Sequence, residues 1–321
     1  MREQQPHRSC KSGTAGNNRR PQYNPQITSA EFCDGLMAVG FTHRARIEHL
    51  QSGESIRIPA IGKGPSNRSA SVKLSDDGTA LLWYDWPSGT HGTLFSNKPP
   101  VTDPAEIAKR QREDKERTKK REAETARQHQ RIAQLASQMW ADAYASGDHP
   151  YISTKQLTGL HNARLDAVTG ELLIPVWVSG IGLVNLQRID RDGNKRFLKG
   201  GRIKGGYSVI GSLDNAERVF VATGWATGST LYEKHGLPVV VAFSDGNLME
   251  VCQALRSRFS DITIVIAGDD DRQNEYNSGR AKAIEAAEAV GAGLYFPDLC
   301  KCCLCTDHND VSACAERCAR G

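Results

Sequence analysis

Two stretches of sequence decide the fold of this chain: VFVATGWATG at residues 219–228 and ITIVIAGDDD at residues 262–271. Each is a continuous apolar run that ends in glycine and polar residues, which is typical of a strand buried on both faces of a parallel sheet. Ligands of such sheets collect at the carboxyl ends of the strands. We therefore expect Thr223 and Gly224 to face the loop at residues 269–271.

The residues around these two stretches alternate between strand and helix patterns. This alternation predicts a βαβαβαβ series and hence an α/β fold, with helices on both faces of a parallel sheet. The predicted strands are residues 219–222, 239–243, 262–267 and 294–296, and the predicted helices are residues 226–235, 246–259 and 278–290.

The three consecutive aspartates Asp269, Asp270 and Asp271 indicate a bound cation. Carboxylates crowded at the end of a buried strand raise one another's pKa values unless a cation neutralises them. Oxygen ligands favour Mg²⁺ or Mn²⁺ over zinc. The alternative, an acidic turn with solvated side chains, stays open on this pattern alone.

Length and composition set wide bounds on the rest of the chain. Its 321 residues are 39% hydrophobic and 24% charged, which suits one large domain or two of common size. The formal net charge of +4 is weak support for a polyanionic partner. The first residues lack the apolar core of a signal peptide, and no stretch is apolar enough to cross a bilayer, so we expect a cytoplasmic protein without a membrane partner.

Composition also divides the chain into six segments. The first has little to bury, which predicts disorder. The third is a long helix in which acids alternate with bases and cancel their charge, so a solvated helix is favoured over a nucleic-acid patch. The predicted segments are a disordered tail at 1–28, an α+β module at 29–100, a charged linker helix at 101–147, a basic β region at 148–212, an α/β domain at 213–299 and a cysteine-rich tail at 300–321.

A basic segment precedes the α/β domain. Glycines interrupt it and no acid lies within it, so its backbone could approach a ligand closely while its cations attract phosphates of a nucleotide or a strand. The alternative is a hairpin with exposed cations. The basic residues are Lys195, Arg196, Lys199, Arg202 and Lys204.

Six of the nine cysteines fall between residues 300 and 318. In a reducing compartment they are unlikely to form stable disulfides. The spacing of Cys302, Cys305, Cys314 and Cys318 is compatible with tetrahedral zinc, with His308 as a further ligand. The alternative is a set of reduced thiols in a variable tail.

The two opening stretches resemble the Toprim domain, an α/β module with a Rossmann-like parallel sheet that is shared by bacterial-type primases, topoisomerases and some nucleases. In that family Glu-Gly follows the first strand and Asp-x-Asp follows the third. Asp269 and Asp271 match the second motif, and Gly224 matches the glycine of the first. Thr223 stands where the family has glutamate.

Over most of residues 31–310 the chain is similar to the stand-alone Toprim primases of conjugative plasmids and phages. The residues that carry this resemblance are KRFL at 195–198, LPVVVAF at 237–243, GNL at 246–248 and the TD-x-ND pattern at 306–310. Each motif alone is weak, but their order along one chain is specific. No Gly-x₄-Gly-Lys-Ser/Thr motif is present, so unwinding would need a replication helicase or relaxase as partner.

The resemblance implies a DNA primase, a nucleotidyltransferase that makes short RNA primers from ribonucleoside triphosphates on single-stranded DNA for plasmid or phage replication or conjugation. The basic segment would bind template or triphosphate. The implied catalytic residues are Thr223, Gly224, Asp269 and Asp271, and the implied Mg²⁺ or Mn²⁺ ligands are Asp269, Asp270 and Asp271, with Asp307 and Asp310 completing the shell.

Two alternatives compete with an active primase. A threonine hydroxyl neither titrates near neutrality nor adds charge to a cation, so Thr223 raises the alternative of a non-catalytic protein that binds single-stranded DNA or a replication partner. A Toprim nuclease or topoisomerase fragment is the other. A topoisomerase needs a nucleophilic tyrosine, and no context singles out Tyr144, Tyr151 or Tyr207.

Overall fold

The computed structural model describes residues 25–42, 48–99, 101–272, 277–299 and 305–318. The chain divides into two compact units, Met1–Lys119 and Lys120–Gly321. Their boundary falls inside the long helix α2, Pro104–Asp142, which lies within the charged linker helix predicted at residues 101–147. The six predicted segments are finer than this division, and their bounds remain predictions.

The first unit pairs one helix with one antiparallel sheet. Helix α1 is Ser29–Ala38, and the strands are β1 Ser55–Ile58, β2 Ala70–Leu74, β3 Ala80–Asp85 and β4 Thr90–Phe95, in the order β1-β2-β3-β4. Apolar side chains alternate along β2, so that one face of the sheet is buried. Phe32 and Leu36 of α1 share a core with Val72 and Leu81.

Residues 27 and 28, at the end of the predicted disordered tail, take part in the first unit. Ile27 is buried in the core of the first unit, and its backbone N–H donates to the carbonyl of Gly78 at 2.9 Å. Thr28 is the N-cap of α1 and forms a capping box with Glu31. The fold therefore begins before residue 29, because a cap and an apolar anchor precede the helix; residues 1–24 lie outside the described residues.

The second unit contains a small antiparallel sheet. It follows α3, Pro150–Thr154, and consists of β5 Arg164–Leu165, β6 Leu172–Val178, β7 Gly182–Ile189 and β8 Lys195–Phe197, in that order. Ile132 and Ala136 of α2 pack with Leu173 and Leu186 of this sheet. The first part of the basic segment therefore forms an edge strand, β8.

The larger sheet of the second unit confirms the predicted strand and helix series, with small shifts at element ends. In chain order the elements are β9 Ser208–Ile210, β10 Arg218–Ala222, α4 Trp225–His235, β11 Val239–Val241, α5 Asp245–Arg258, β12 Thr263–Ala267, α6 Ser278–Val290, β13 Gly293–Tyr295 and α7 His308–Cys318. The strand order is β13-β12-β10-β11-β9, and all pairings are parallel except the β11 pairing with β9. The edge strand β9 was not predicted.

Apolar cores lie on both faces of this sheet, as its continuously apolar strands require. Trp225 and Leu231 of α4 belong to one core, and Leu248 of α5 and Ala283 of α6 belong to the other. All of β10 except Arg218 is buried. Among the described residues, no helix is both long and apolar enough to span a membrane.

Candidate active site

A cavity of about 290 Å³ lies where β10, β11 and β12 end. Its polar lining comes from five parts of the second unit: the loops after these strands, α3 and its C-cap, β7, β8 and the residue before α7. The residues that line it include Tyr151, Lys155, Lys195, Thr223, Gly224, Asp245, Asp269 and Asp307. This is the place at which parallel α/β sheets collect their ligands.

Thr223 and Asp269 meet at the floor of the cavity. Strands β10 and β12 pair in parallel with Ala222 opposite Ala267, so the chain leaves both strands at the same level. The hydroxyl Oγ1 of Thr223 donates a hydrogen bond to Oδ2 of Asp269 at 2.9 Å. The predicted approach of the two loops is confirmed, and Gly224 beside them is the N-cap of α4.

Asp269 has one carboxylate oxygen satisfied and one unsatisfied. Its Oδ1 is buried and has no hydrogen-bond partner among the described residues. Desolvation raises the pKa of Asp269 to about 6, and the charges of Asp307 and Asp245 add to this, while Thr223 and Lys195 act in the opposite direction. Above pH 6 the site therefore holds a desolvated anion that a cation would stabilise.

Asp270 points to a different environment. Its Oδ2 accepts from Nε of Arg272 at 2.9 Å and lies 3.3 Å from Nη1 of Arg280, while its Oδ1 accepts from Nδ2 of Asn277 at 2.8 Å. Desolvation alone would raise its pKa, but these hydrogen bonds and guanidinium charges outweigh it and lower the pKa. Asp270 does not line the cavity, and three protein side chains already bind its carboxylate. Its role as a metal ligand remains a prediction.

Of the other three predicted cation ligands, one lines the cavity and two do not. Asp307 lines the cavity, and its Oδ1 accepts from the backbone N–H of Asp310 at 2.8 Å. The carboxylate of Asp310 pairs with Nζ of Lys155 at 3.3 Å. Asp271 is half-buried, and its backbone N–H donates to Oδ1 of Asn277 at 3.3 Å. Of the five, the structure brings Asp269 and Asp307 to the cavity.

The chemistry of the cavity fits a hard divalent cation that shares its ligands with a substrate. Within the part of the chain that the structure describes, no three His, Cys, Asp or Glu side chains are grouped so that they could hold a metal by themselves. Mg²⁺ typically takes one or two carboxylates and completes its shell with water and substrate phosphates. The unpartnered Oδ1 of Asp269 meets that requirement.

The five basic residues do not form a single patch. Lys195 lines the cavity, where desolvation lowers its pKa and Asp307, Asp269 and Asp310 raise it in turn. Arg196 pairs with Asp190 at 3.1 Å and Glu171 at 3.5 Å.

The last three basic residues follow β8. Lys204 pairs with Glu250 at 2.7 Å, and Nε of Arg202 donates to the carbonyl of Lys204 at 3.0 Å. Lys199 is exposed. Lys195 is thus the one predicted basic residue that faces the cavity, since the others are paired with acids or lie away from its wall.

Sequence reasoning missed several residues of the cavity, among them Tyr151, Lys155 and Asp245. Tyr151 is buried, with its ring 5.7 Å from Nζ of Lys195, and burial raises its pKa to about 12. Lys155 and Asp245 also line the wall. A signal for Asp245 was present, since it follows a predicted strand, as Thr223 and Asp269 do; α3 carries no comparable signal.

The predicted zinc ligands are only partly within the described residues. Cys302 and the side chain of Cys318 lie outside them. Cys305 and Cys314 are free thiols, and Sγ of Cys305 donates to the carbonyl of Asp310 at 3.5 Å. The zinc site remains a prediction.

Comparison with solved structures finds primase domains at low similarity. The primase fragment of the bacteriophage T7 primase-helicase protein has a TM-score of 0.40 and 16% identity, and the match covers 82% of this chain and 96% of that one. The DnaG primase catalytic domain bound to ssDNA has a TM-score of 0.39 and 14% identity, covering 61% and 80% of the two chains.

Sequence comparison finds closer relatives. No protein-family model matches the chain. Two curated Escherichia coli proteins named DNA primase TraC are 32% identical over 286 residues and 30% identical over 293 residues. The matches cover 86% and 87% of this chain but only 27% and 20% of the TraC proteins. This chain is therefore a homologue of the DNA primases named TraC, over most of its own length and about a quarter or less of theirs.

Proposed function

We propose that this chain is a Toprim-type DNA primase that makes short RNA primers on single-stranded DNA. The relationship to TraC carries this proposal, and the chemistry of the cavity agrees with it. The template would be single-stranded DNA of a plasmid or phage in the cytoplasm, during replication or conjugation, and the substrates would be ribonucleoside triphosphates. A replication helicase or relaxase would supply the open strand.

The proposed reaction is nucleotidyl transfer. A primer 3′-hydroxyl oxygen loses its proton to solvent and forms a bond to the α-phosphorus of a triphosphate. The bond from that phosphorus to the bridging oxygen breaks, and pyrophosphate leaves. A bound Mg²⁺ or Mn²⁺ would neutralise the phosphates and the charge that develops during transfer. Asp269 would hold the cation through Oδ1, and the hydrogen bond from Thr223 keeps Oδ2 in place.

Lys195 has a separate role in this proposal. It is the only one of the five predicted basic residues that lines the cavity, where its ammonium group would attract the triphosphate. The ammonium group lies 5.7 Å from the centre of the Tyr151 ring, and partial desolvation lowers the pKa of Lys195. A cation in a partly desolvated wall attracts phosphate more strongly than one in bulk solvent, because the local dielectric is lower.

The second candidate function is a protein that binds single-stranded DNA without catalysis. The observation that favours it is the hydrogen bond between Thr223 and Asp269, which occupies the place of the Toprim glutamate with a neutral group. Loss of a general acid or base typically lowers a rate by about 10² to 10⁴. A protein that retains the fold and the cavity would still bind nucleic acid.

Primer synthesis on single-stranded DNA separates the two functions. Wild type, Asp269→Asn and Thr223→Glu would be incubated with labelled ribonucleotides and Mg²⁺ or Mn²⁺. If the chain is a primase, wild type should make primers and Asp269→Asn should make none. Strong product from Thr223→Glu alone, with DNA bound equally by all three proteins, would instead establish the non-catalytic function for the natural chain.

A further inference from the structure

Asp245 is the carboxylate of the cavity that the motifs do not account for. It is the first residue of α5 and lies just after β11, the strand that pairs with β10 on the side opposite β12. The backbone N–H of Ala242 donates to the carbonyl of Ala222 at 2.8 Å, which continues this pairing past the strand ends. Asp245 therefore enters the cavity from the neighbouring strand, as Asp269 does from β12.

Asp245 and Asp269 line the same cavity and also lie near one small residue outside its lining, Gly279. A Cβ atom placed on Gly279, in the first turn of α6, would lie 3.5 Å from Cβ of Asp269 and 3.7 Å from Oδ2 of Asp245. The two side chains are therefore neighbours, and the charge of Asp245 acts on Asp269. Two carboxylates that approach each other in a desolvated place repel, unless a cation lies between them or near both.

Neither carboxylate is fully satisfied by protein groups. Asp245 accepts no hydrogen bond and makes no ion pair within the described ranges, and burial raises its pKa. Oδ1 of Asp269 is buried and unpartnered. The N-terminus of α5 favours a negative charge at Asp245, but a helix terminus does not explain why a second acid, with one buried unpartnered oxygen, lines the same cavity.

We propose that Asp245 and Asp269 hold the divalent cation together, so that the second carboxylate of the site comes from the end of β11 instead of from the position of Thr223. This inference rests on the proposed function for the identity of the ligand, a cation that carries a nucleoside triphosphate. Two carboxylates balance the charge of the ion, and water and phosphate oxygens complete its shell. Thr223 contributes by binding Oδ2 of Asp269, which leaves Oδ1 free for the ion.

Binding of Mn²⁺ to the full chain tests this pair directly. Electron paramagnetic resonance of free Mn²⁺ would be titrated against wild type, Asp245→Asn, Asp269→Asn and the control Asp261→Asn. Asp261 is exposed and precedes β12, at the opposite edge of the sheet. We expect each cavity variant to lose at least about tenfold in Mn²⁺ affinity, and the control to match wild type.

A second variant separates cation binding from helix stabilisation. Asp245→Glu keeps the negative charge at the start of α5 and the carboxylate, so it should bind Mn²⁺ more tightly than Asp245→Asn. Thermal unfolding would be measured for every variant. Unchanged Mn²⁺ affinity in a folded Asp245→Asn protein would overturn the inference, as would a wild type that binds no Mn²⁺ at millimolar concentration.

Primer synthesis by the same proteins distinguishes this inference from the proposed function. If wild type makes primers while Asp245→Asn binds Mn²⁺ normally, the function stands and the shared cation site is wrong. If wild type makes no primers but both cavity variants lose Mn²⁺, the paired site stands and the primase function is wrong.

Discussion

Asp269 and Asp270 are neighbours in sequence, yet they lie in opposite electrostatic environments. Asp269 faces the cavity with one unpartnered oxygen and a pKa raised to about 6. Asp270 faces a cluster of Arg272, Asn277 and Arg280, which lowers its pKa. The first carboxylate has a protein partner for only one of its oxygens, whereas the second has protein partners for both.

This difference shows that neighbouring acids in one run can have different surroundings, and it supports a binding role for Asp269 and a structural role for Asp270. Successive side chains leave an extended chain on opposite sides, so adjacent acids need not share a site. A cation site keeps an unsatisfied acid because the ligand supplies the missing interaction. A buried acid with two guanidinium partners instead connects the loop after β12 to the start of α6.

The largest effect that we expect from this comparison is on catalysis. Asp269→Asn should lower primer synthesis by about 10³-fold, because charge stabilisation by a bound metal is worth several kcal/mol. Its stability should be unchanged or higher, since a desolvated charge is removed. Rates and urea unfolding would be measured together; a rate within a few-fold of wild type would contradict the role of Asp269.

Asp270→Ala should lower the stability of the protein more than it lowers the rate of primer synthesis. Breaking a buried ion pair typically costs about 3–5 kcal/mol, but Arg272 and Arg280 are 54% and 45% exposed, so we expect about 2 kcal/mol. The loss would be measured as the change in free energy of unfolding in urea. A loss below about 0.5 kcal/mol would show that the cluster is not structural.

The pH dependence of the free energy of unfolding should also differ between Asp269 and Asp270, and it can be measured without assaying activity. The folded pKa of Asp269 is raised to about 6, so the folded state binds more protons than the unfolded state between about pH 4 and pH 6. Its contribution should therefore lower stability by about 1–2 kcal/mol as pH rises through this window. Asp269→Asn should remove this slope in metal-free urea titrations, and an unchanged slope would assign it to another group.

Asp270 should titrate in the other direction. Its pKa is lowered in the folded state, so its stabilisation is present above its unfolded pKa and is lost as pH falls through the folded value. Asp270→Ala should therefore lose less stability on acidification than wild type does.

The smallest effect should come from the hydrogen bond at the floor of the cavity. Thr223→Val removes a donor to Asp269 while keeping the shape of the side chain, at a cost of about 1 kcal/mol or roughly fivefold in rate. Because this bond lowers the pKa of Asp269, the acidic limb of the pH–rate profile should move to higher pH. Thr223→Ser, which keeps the donor, is the matched control and should leave the limb in place.

Much of the sheet could be predicted because its strands are apolar along their whole length and end at glycine or polar residues. Helix α6 has the bounds that its sequence predicts, and the meeting of Thr223 with Asp269 follows from strand ends that share one edge. Ile27 was missed because a single buried residue in a polar stretch gives no periodic signal.

The cavity was harder to predict because its wall combines distant segments. Lys195 comes from the edge strand β8, and Asp307 comes just before α7, more than 100 residues later. Charge density along the chain predicted one basic patch at residues 195–204. Ion pairs with Glu171, Asp190 and Glu250 instead engage two of its members, and no local pattern indicates those partners.

The sequence by itself determined the order of strands and helices, the edge of the sheet at which polar loops gather, and the relationship to the TraC primases. These follow from local hydrophobic pattern and residue identity, which are properties of the chain before it folds. Only the tertiary structure decided that Asp269 faces the cavity while Asp270 faces two arginines, and that Asp245 lines the same cavity as Asp269. Burial and partners depend on which distant segments come together, and these contacts set the pKa of each carboxylate.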